Sequence, residues 1–184
     1  MSIKTFTADS VLTASDTNTF LANSGLVYIK SQTVGTGVSS VNVTSAFSTD
    51  YDNYRILYTN GLSSATAIGI NLKIGTVITG YYSGLVNVNY STSAVTGIGQ
   101  DNQAIWNNVG GSGAASYVNF DCDIYSPFLA RWKFFASRAV HSGSVFGTGN
   151  GLNISTSSIT DFTISPASGT LTGGQITVYG YRKA

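Results

Sequence analysis

Ile68-Gly-Ile-Asn-Leu-Lys-Ile74 is the stretch that decides the fold. Its four aliphatic side chains occupy every second position and alternate with Gly69, Asn71 and Lys73. An extended chain turns successive side chains to opposite faces, so this spacing predicts a strand with one dry face. The same period extends outward in both directions. Val27 and Ile29 alternate with Leu26, Tyr28 and Lys30, and Val41 and Val43 flank Asn42. Tyr54, Ile56 and Tyr58 alternate with Arg55, Leu57 and Thr59. Val118, Phe120, Cys122 and Ile124 alternate with Asn119, Asp121 and Asp123. Trp132, Phe134 and Ala136 continue the series, which places them in the core and leaves Arg131 and Lys133 outside. Ile159, Phe162 and Ile164 follow, and a last strand sets Ile176 and Val178 against Thr177, Tyr179 and Tyr181.

Turn signals separate these runs: Gly35-Thr-Gly37, Asn60-Gly61, Gly110-Gly111, Gly147-Thr-Gly-Asn-Gly151 and Gly173-Gly174. Pro127 and Pro166 fall at predicted strand ends, where a missing N–H costs least. The stretch Gly97 to Ala115 shows no strand period and reads as a large loop. One helix is predicted, over about residues 15–23. Thr13 or Ser15 caps it, Phe20 and Leu21 form its apolar side, and Gly25 stops it. Many short strands and one short helix predict an all-β chain: a jelly-roll-like antiparallel β-sandwich over residues 26–184, preceded by an N-terminal docking arm and short helix over 1–25.

Composition narrows the function. The chain has 184 residues, enough for one domain with a real core. Only 9% are charged and the net charge is +1, which leaves no one-signed field to steer nucleic acid or an anionic membrane. All eight acidic residues are Asp, and Gly, Ser and Thr exceed a third of the chain. Low charge on a mixed apolar and hydroxyl surface suits permanent assembly better than a dilute monomer. No apolar run approaches the length of a membrane helix, and the first residues lack the apolar core of a signal peptide. The lone Cys122 permits no internal disulfide.

Chemical constellations are sparse. His141 is the only histidine and stands beside Ser142 with no carboxylate at triad spacing. Cys122 reads as a buried, inert thiol. Asp121 and Asp123 share one side of a strand, where Arg131 or Lys133 of the next strand would pair with them. Neither a catalytic role, a metal nor a cofactor is expected, since a third ligand is missing and no phosphate-binding or zinc spacing occurs. Trp106 and Asn107, with Asp101 and Gln103, offer the aromatic face and polar groups that a sugar site needs. The competing and preferred reading tucks Trp106 under its own loop or into a neighbouring subunit.

The chain's ends carry a resemblance. Val11-Leu-Thr-Ala-Ser-Asp-Thr-Asn18, Gly25-Leu-Val-Tyr-Ile-Lys30, Ala46-Phe-Ser-Thr-Asp-Tyr-Asp-Asn-Tyr-Arg-Ile56 and the segment from Phe162 to Arg182 resemble small structural proteins of tailed bacteriophages, of tail-fibre, minor-tail or capsid-decoration type. The middle, about residues 78–160, carries no such motif. The resemblance implies a virion protein made in the host cytoplasm, associating with itself as a homotrimer and with other virion proteins. In order of preference it is a tail-fibre or tail-tip subunit that contacts a host-surface glycan or protein, a capsid decoration protein, or a polysaccharide depolymerase. The last is disfavoured by the absence of Glu. Tyr51, Tyr54, Tyr179 and Tyr181 are expected at subunit or virion interfaces, with Phe20 and Leu21 of the helix. Gly169, Gly173 and Gly174 suit a turn into the last strand, and Gly180 is expected to admit another backbone.

Overall fold

The computed structural model describes residues 11, 13–16, 25–113, 116–142 and 145–183, the side chains of 141 and 142 excepted. They form one helical turn, α1 (Ala14–Asp16), and thirteen strands. These are β1 (Leu26–Thr33), β2 (Val41–Val43), β3 (Asn53–Ser63), β4 (Gly69–Ile74), β5 (Tyr81–Asn89), β6 (Val95–Gln103) and β7 (Trp106–Gly111). They continue with β8 (Tyr117–Tyr125), β9 (Lys133–Ser142), β10 (Val145–Asn153), β11 (Phe162–Pro166), β12 (Leu171–Thr172) and β13 (Gln175–Tyr181). The rest of the predicted helix, with Phe20 and Leu21, lies outside the described residues.

Two antiparallel sheets face each other, so the chain is an all-β sandwich as the alternation predicts. The large sheet runs β1-β13-β3-β8-β9-β10-β5-β6, with β12 beside β3. The small sheet runs β2-β11-β4-β7. Between them lie the inward positions read from the sequence: Tyr54, Ile56, Tyr58, Val118, Cys122, Ile124, Ile176 and Val178 from the large sheet, and Val43, Ile70, Leu72, Ile74, Phe162 and Ile164 from the small one. Burying each such side chain stabilises the fold by roughly 1.5–3 kcal/mol. The small sheet ends at β7, which packs across β8 and β9.

Four expectations need correction. The Gly97–Ala115 stretch is not a loop; it holds most of β6 and all of β7. Asn60-Gly61 is not a turn between strands but a bulge inside β3. The ladder to β8 shifts between Tyr58 and Gly61, and Asn60 takes a positive φ of 57°. Gly147 to Gly151 lie within β10. A Cβ at Gly151 would stand 2.5 Å from the Phe135 ring, so that glycine makes room for a core aromatic.

The fourth correction is the phase of β9. Lys133, Phe135 and Ser137 point inward, whereas Trp132 and Phe134 are about half exposed. The sequence is apolar in both phases here, and the side that fits Phe135 against Trp106 wins, with ring centroids 4.8 Å apart. Lys133 is fully buried as a consequence. Its ammonium donates to the carbonyls of Leu129 at 2.6 Å and Arg131 at 2.5 Å, which supplies the partners a buried charge requires. Burial, and then the neighbouring Arg131 charge, lower its pKa.

Candidate interaction surface

The inner face of the large sheet is packed, and its outer face carries the chemistry. Register partners place Tyr28, Tyr179, Arg55, Asp123, Ala136, Asn150, Gly84 and Gly99 in one row across all eight strands. At typical strand spacing this row is roughly 35 Å long. One pleat along, Asn53, Tyr125, Phe134, Leu152 and Tyr82 form a second row, with Leu26 and Tyr181 paired at the β1 side. On the other side lie Thr177, Leu57, Asp121, Arg138, Thr148, Val86 and Gly97.

The centre of this face is an ion network. Arg55 Nε and Nη2 donate to the two carboxylate oxygens of Asp123 at 2.8 and 2.7 Å. The Tyr181 hydroxyl donates to Asp123 Oδ1 at 2.7 Å, and the Arg55 guanidinium lies 5.8 Å from the Tyr181 ring centre. Arg138 pairs with Asp121 at 2.5 Å. Burial pushes the Asp123 carboxyl up, but Arg55 and Tyr181 more than offset it, and its pKa lies below the ordinary carboxylate value. Burial, then the bond to Asp123, push the Tyr181 hydroxyl up to about 12. Asp121 and Asp123 do share a side, but their partners come from β9 and β3, at Arg138 and Arg55. Arg131 and Lys133, the expected partners, are absent from the network.

Towards the β5–β6 side the surface dips into a trough of about 390 Å³. Tyr82, Ser83, Gly84, Gln100, Phe134, Asn150, Gly151 and Leu152 line it, and none is charged. Gly84 opens its floor: a Cβ there would meet nothing within 4 Å. The Ser83 hydroxyl donates to Gln100 Oε1 at 2.8 Å, which ties β5 to β6 at this point.

The sugar-site residues read from the sequence do not assemble. Trp106 is fully buried, with Tyr81 edge-on at 5.1 Å, and its indole N–H donates to the Leu152 carbonyl at 3.1 Å. It offers no ring face to a ligand. The Asn107 N–H donates to Gln100 Oε1 at 3.3 Å, while Asp101 and Gln103 are exposed at the end of β6. Trp106 instead fills the core of its own chain, from strand β7.

The tyrosines divide. Tyr179 and Tyr181 lie half-buried on the outer face. Tyr54 is a core residue, its hydroxyl accepting from the Ser48 N–H at 2.8 Å and donating to the Ser48 carbonyl at 2.9 Å, so it is unavailable to an interface. Tyr51 is half-buried over Gly180, where a Cβ would stand 2.4 Å from its ring. Gly180 therefore admits a side chain of its own chain and not another backbone. Phe20 and Leu21 lie outside the described residues, as does the His141 side chain. Cys122 is buried, and burial, with Asp123 and Asp121 nearby, pushes its thiol well above the ordinary value. Such a thiol supplies little thiolate. No group of three or more His, Cys, Asp or Glu that could hold a metal occurs among the described residues.

Sequence reasoning missed Asn150 and Leu152 because Gly147 to Gly151 were read as a turn, and it gave Tyr82 no reading. The available signal was their spacing: Gly147, Gly149 and Gly151 recur at the strand period.

No protein-family model matches this chain, and no curated protein matches it. A chain in a solved structure, titled "Structure of infectious bursal disease virus Gx strain", aligns with a TM-score of 0.11 and 9% identity. The alignment covers 86% of this chain and 38% of that one. A likeness that slight carries no argument.

Proposed function

We propose that the chain is a structural protein of a bacteriophage virion, a tail-fibre or tail-tip subunit that displays its sandwich for attachment to the host surface. The virion setting comes from the resemblance of the chain's ends to phage structural proteins. The supporting observation is the outer face of the large sheet. It carries aromatic and aliphatic side chains across its strands, and its charges are matched within the protein. In this reading the host contact is the uncharged trough bounded by Tyr82, Phe134 and Leu152, in place of the segment around Trp106. Rings beside exposed amides suit a neutral glycan or a polar protein surface. Homotrimeric assembly and docking through residues 1–25 on other virion proteins belong to the same proposal, which includes no catalytic step, cofactor, nucleic acid or membrane insertion.

Immunogold labelling of intact phage tests the location, with gold at the tail or its tip expected. Phage carrying Tyr82→Ala and Phe134→Ala should assemble normally and adsorb poorly. Normal adsorption would remove the trough from the proposal. A second reading, a capsid decoration protein, draws on the length of the outer-face row, which suits a broad protein contact better than a small ligand. Gold spread over the head would select it.

A further inference from the structure

We propose that the β5–β6 corner of the large sheet is a self-association surface, covered by another copy of this chain. The inference does not rest on the virion reading, because it follows from how the two edges of one sheet differ.

The large sheet ends in β1 on one side and β6 on the other. An open edge presents unpaired N–H and C=O groups, and proteins that remain monomeric guard such edges with lysine, proline or bulges. The β1 edge is guarded. Its ladder to β13 is irregular between Tyr28 and Lys30, and the Lys30 ammonium donates to the Thr44 carbonyl at 2.5 Å. The β6 strand, Val95-Thr-Gly-Ile-Gly-Gln-Asp-Asn-Gln103, has no lysine, arginine or proline, and its one charge, Asp101, sits near the C-terminal end, where its ladder to β5 is also irregular; from Val95 to Gln100 the ladder is regular. Every residue of β6 except Gln100 is exposed.

Apolar side chains gather at this unguarded edge. Val86, Val88, Tyr90, Val95 and Phe146 are each more than 40% exposed, with the Tyr90 and Phe146 rings 5.4 Å apart. Ile98, opposite the buried Leu85, is 40% exposed on the other side of the hairpin. The five residues on the outer face together expose on the order of 500 Å², within the range of a monomer's largest patch and more than half of the ~800 Å² per partner that a stable interface buries. With the β6 main chain added, the surface is large enough.

Charge selects the occupant. Neither β5 nor β10 carries a charged residue. Two such corners meet without repulsion, and an edge strand of one copy supplies the hydrogen-bonding groups that the other lacks. A highly charged partner would lose solvation here and gain no counter-charge.

The test is sedimentation of the purified full chain over a concentration series. The wild type should associate, and Val95→Lys with Ile98→Lys should weaken association at least about tenfold, near 1.4 kcal/mol, with an unchanged far-UV CD spectrum. Trp132→Ala, on the outer face away from this corner, should leave association intact. In an independent test, Thr96→Cys introduces an exposed thiol while Cys122 is buried, and a bis-maleimide should link two copies through it. A wild type that stays monomeric overturns the proposal. So does an oligomer that survives the double lysine variant, dissolves only with Trp132→Ala, or gives no cross-link at position 96.

Discussion

Trp106→Ala separates the two roles that this residue has been given, ligand platform and core. The side chain is fully buried, lies edge-on to Tyr81 and against Phe135, and bonds the Leu152 carbonyl. Truncating a buried tryptophan costs about 3–5 kcal/mol. The unpaired Leu152 carbonyl adds a desolvation cost of about 1–3 kcal/mol unless water enters the hole. The expected loss is therefore about 4 kcal/mol or more. For a chain of this length that corresponds to a fall of roughly 8–16 °C in Tm. Trp106→Phe keeps the ring contacts and loses the hydrogen bond, at a cost of about 1–2 kcal/mol. Trp132→Ala removes a half-exposed ring and should cost under about 1 kcal/mol. Urea unfolding of the three variants, followed by CD, gives the ranking. Trp106→Ala unfolding at the wild-type midpoint would refute the core assignment, and if it also lost surface binding the ring would have to face a ligand.

Asp123→Asn leaves the Arg55 guanidinium, 26% exposed, without its charge partner and should cost about 2–4 kcal/mol in chemical unfolding. Because the Asp123 pKa is lowered on folding, its stabilisation is complete above the ordinary carboxylate pKa and is lost as pH falls through the lower folded value. The variant should therefore show a flatter acid limb, and an unchanged limb would remove Asp123 as its source. Burial pushes Tyr58 and Tyr81 up to about 12 from 10.0. Raised pKa values on folding mean stability present below pH 10 and lost between about 10 and 12, roughly 2–3 kcal/mol for each tyrosine. Stability measured against pH should fall there, and Tyr81→Phe should fall less steeply. Gly180→Ala drives a methyl group into the Tyr51 ring and should cost about 1–3 kcal/mol. Tyr51→Ala should recover part of that loss in a double-mutant cycle, and strict additivity would show that the two do not touch.

The strands that the sequence made legible are those with one apolar phase. In β4, β8 and β13 the aliphatic residues occupy a single parity, and in β3 Leu57 alone departs from it, so direction and burial follow from period two. The readings failed where parity was ambiguous or empty. Trp132, Phe134 and Phe135 are apolar in both phases, and contact with Trp106, remote in sequence, chooses between them. In β6 and β10 the glycines remove the side chains on which a period is read. They are there because Phe135 needs space above Gly151 and because Gly99, like Gly84 of β5, leaves the outer face open. Tyr54 and Trp106 carry polar handles that suit an interface or a ligand, yet each handle finds a backbone partner inside the fold. The trough was illegible for a related reason. Its walls come from β5, β6, β9 and β10, and only the sheet order brings those strands together.

The scarcity of charge acquires a structural meaning on the outer face. A sheet face meant only for water needs no matching of its charges, since solvent screens them. Here Arg55, Asp123, Arg138 and Asp121 are paired across β3, β8 and β9, and Tyr181 takes up a remaining carboxylate lone pair. Two cations and two anions therefore sum to zero before any partner arrives. Covering such a face strands no uncompensated charge, which is the main penalty of burying ions. The partner then has to supply shape and apolar contact to Tyr82, Tyr125, Phe134 and Leu152, and its own charge matters little. That favours a broad, neutral contact over electrostatic capture. It also predicts that attachment or assembly through this face should depend only weakly on ionic strength, whereas a steep salt dependence would require charges that the face does not offer.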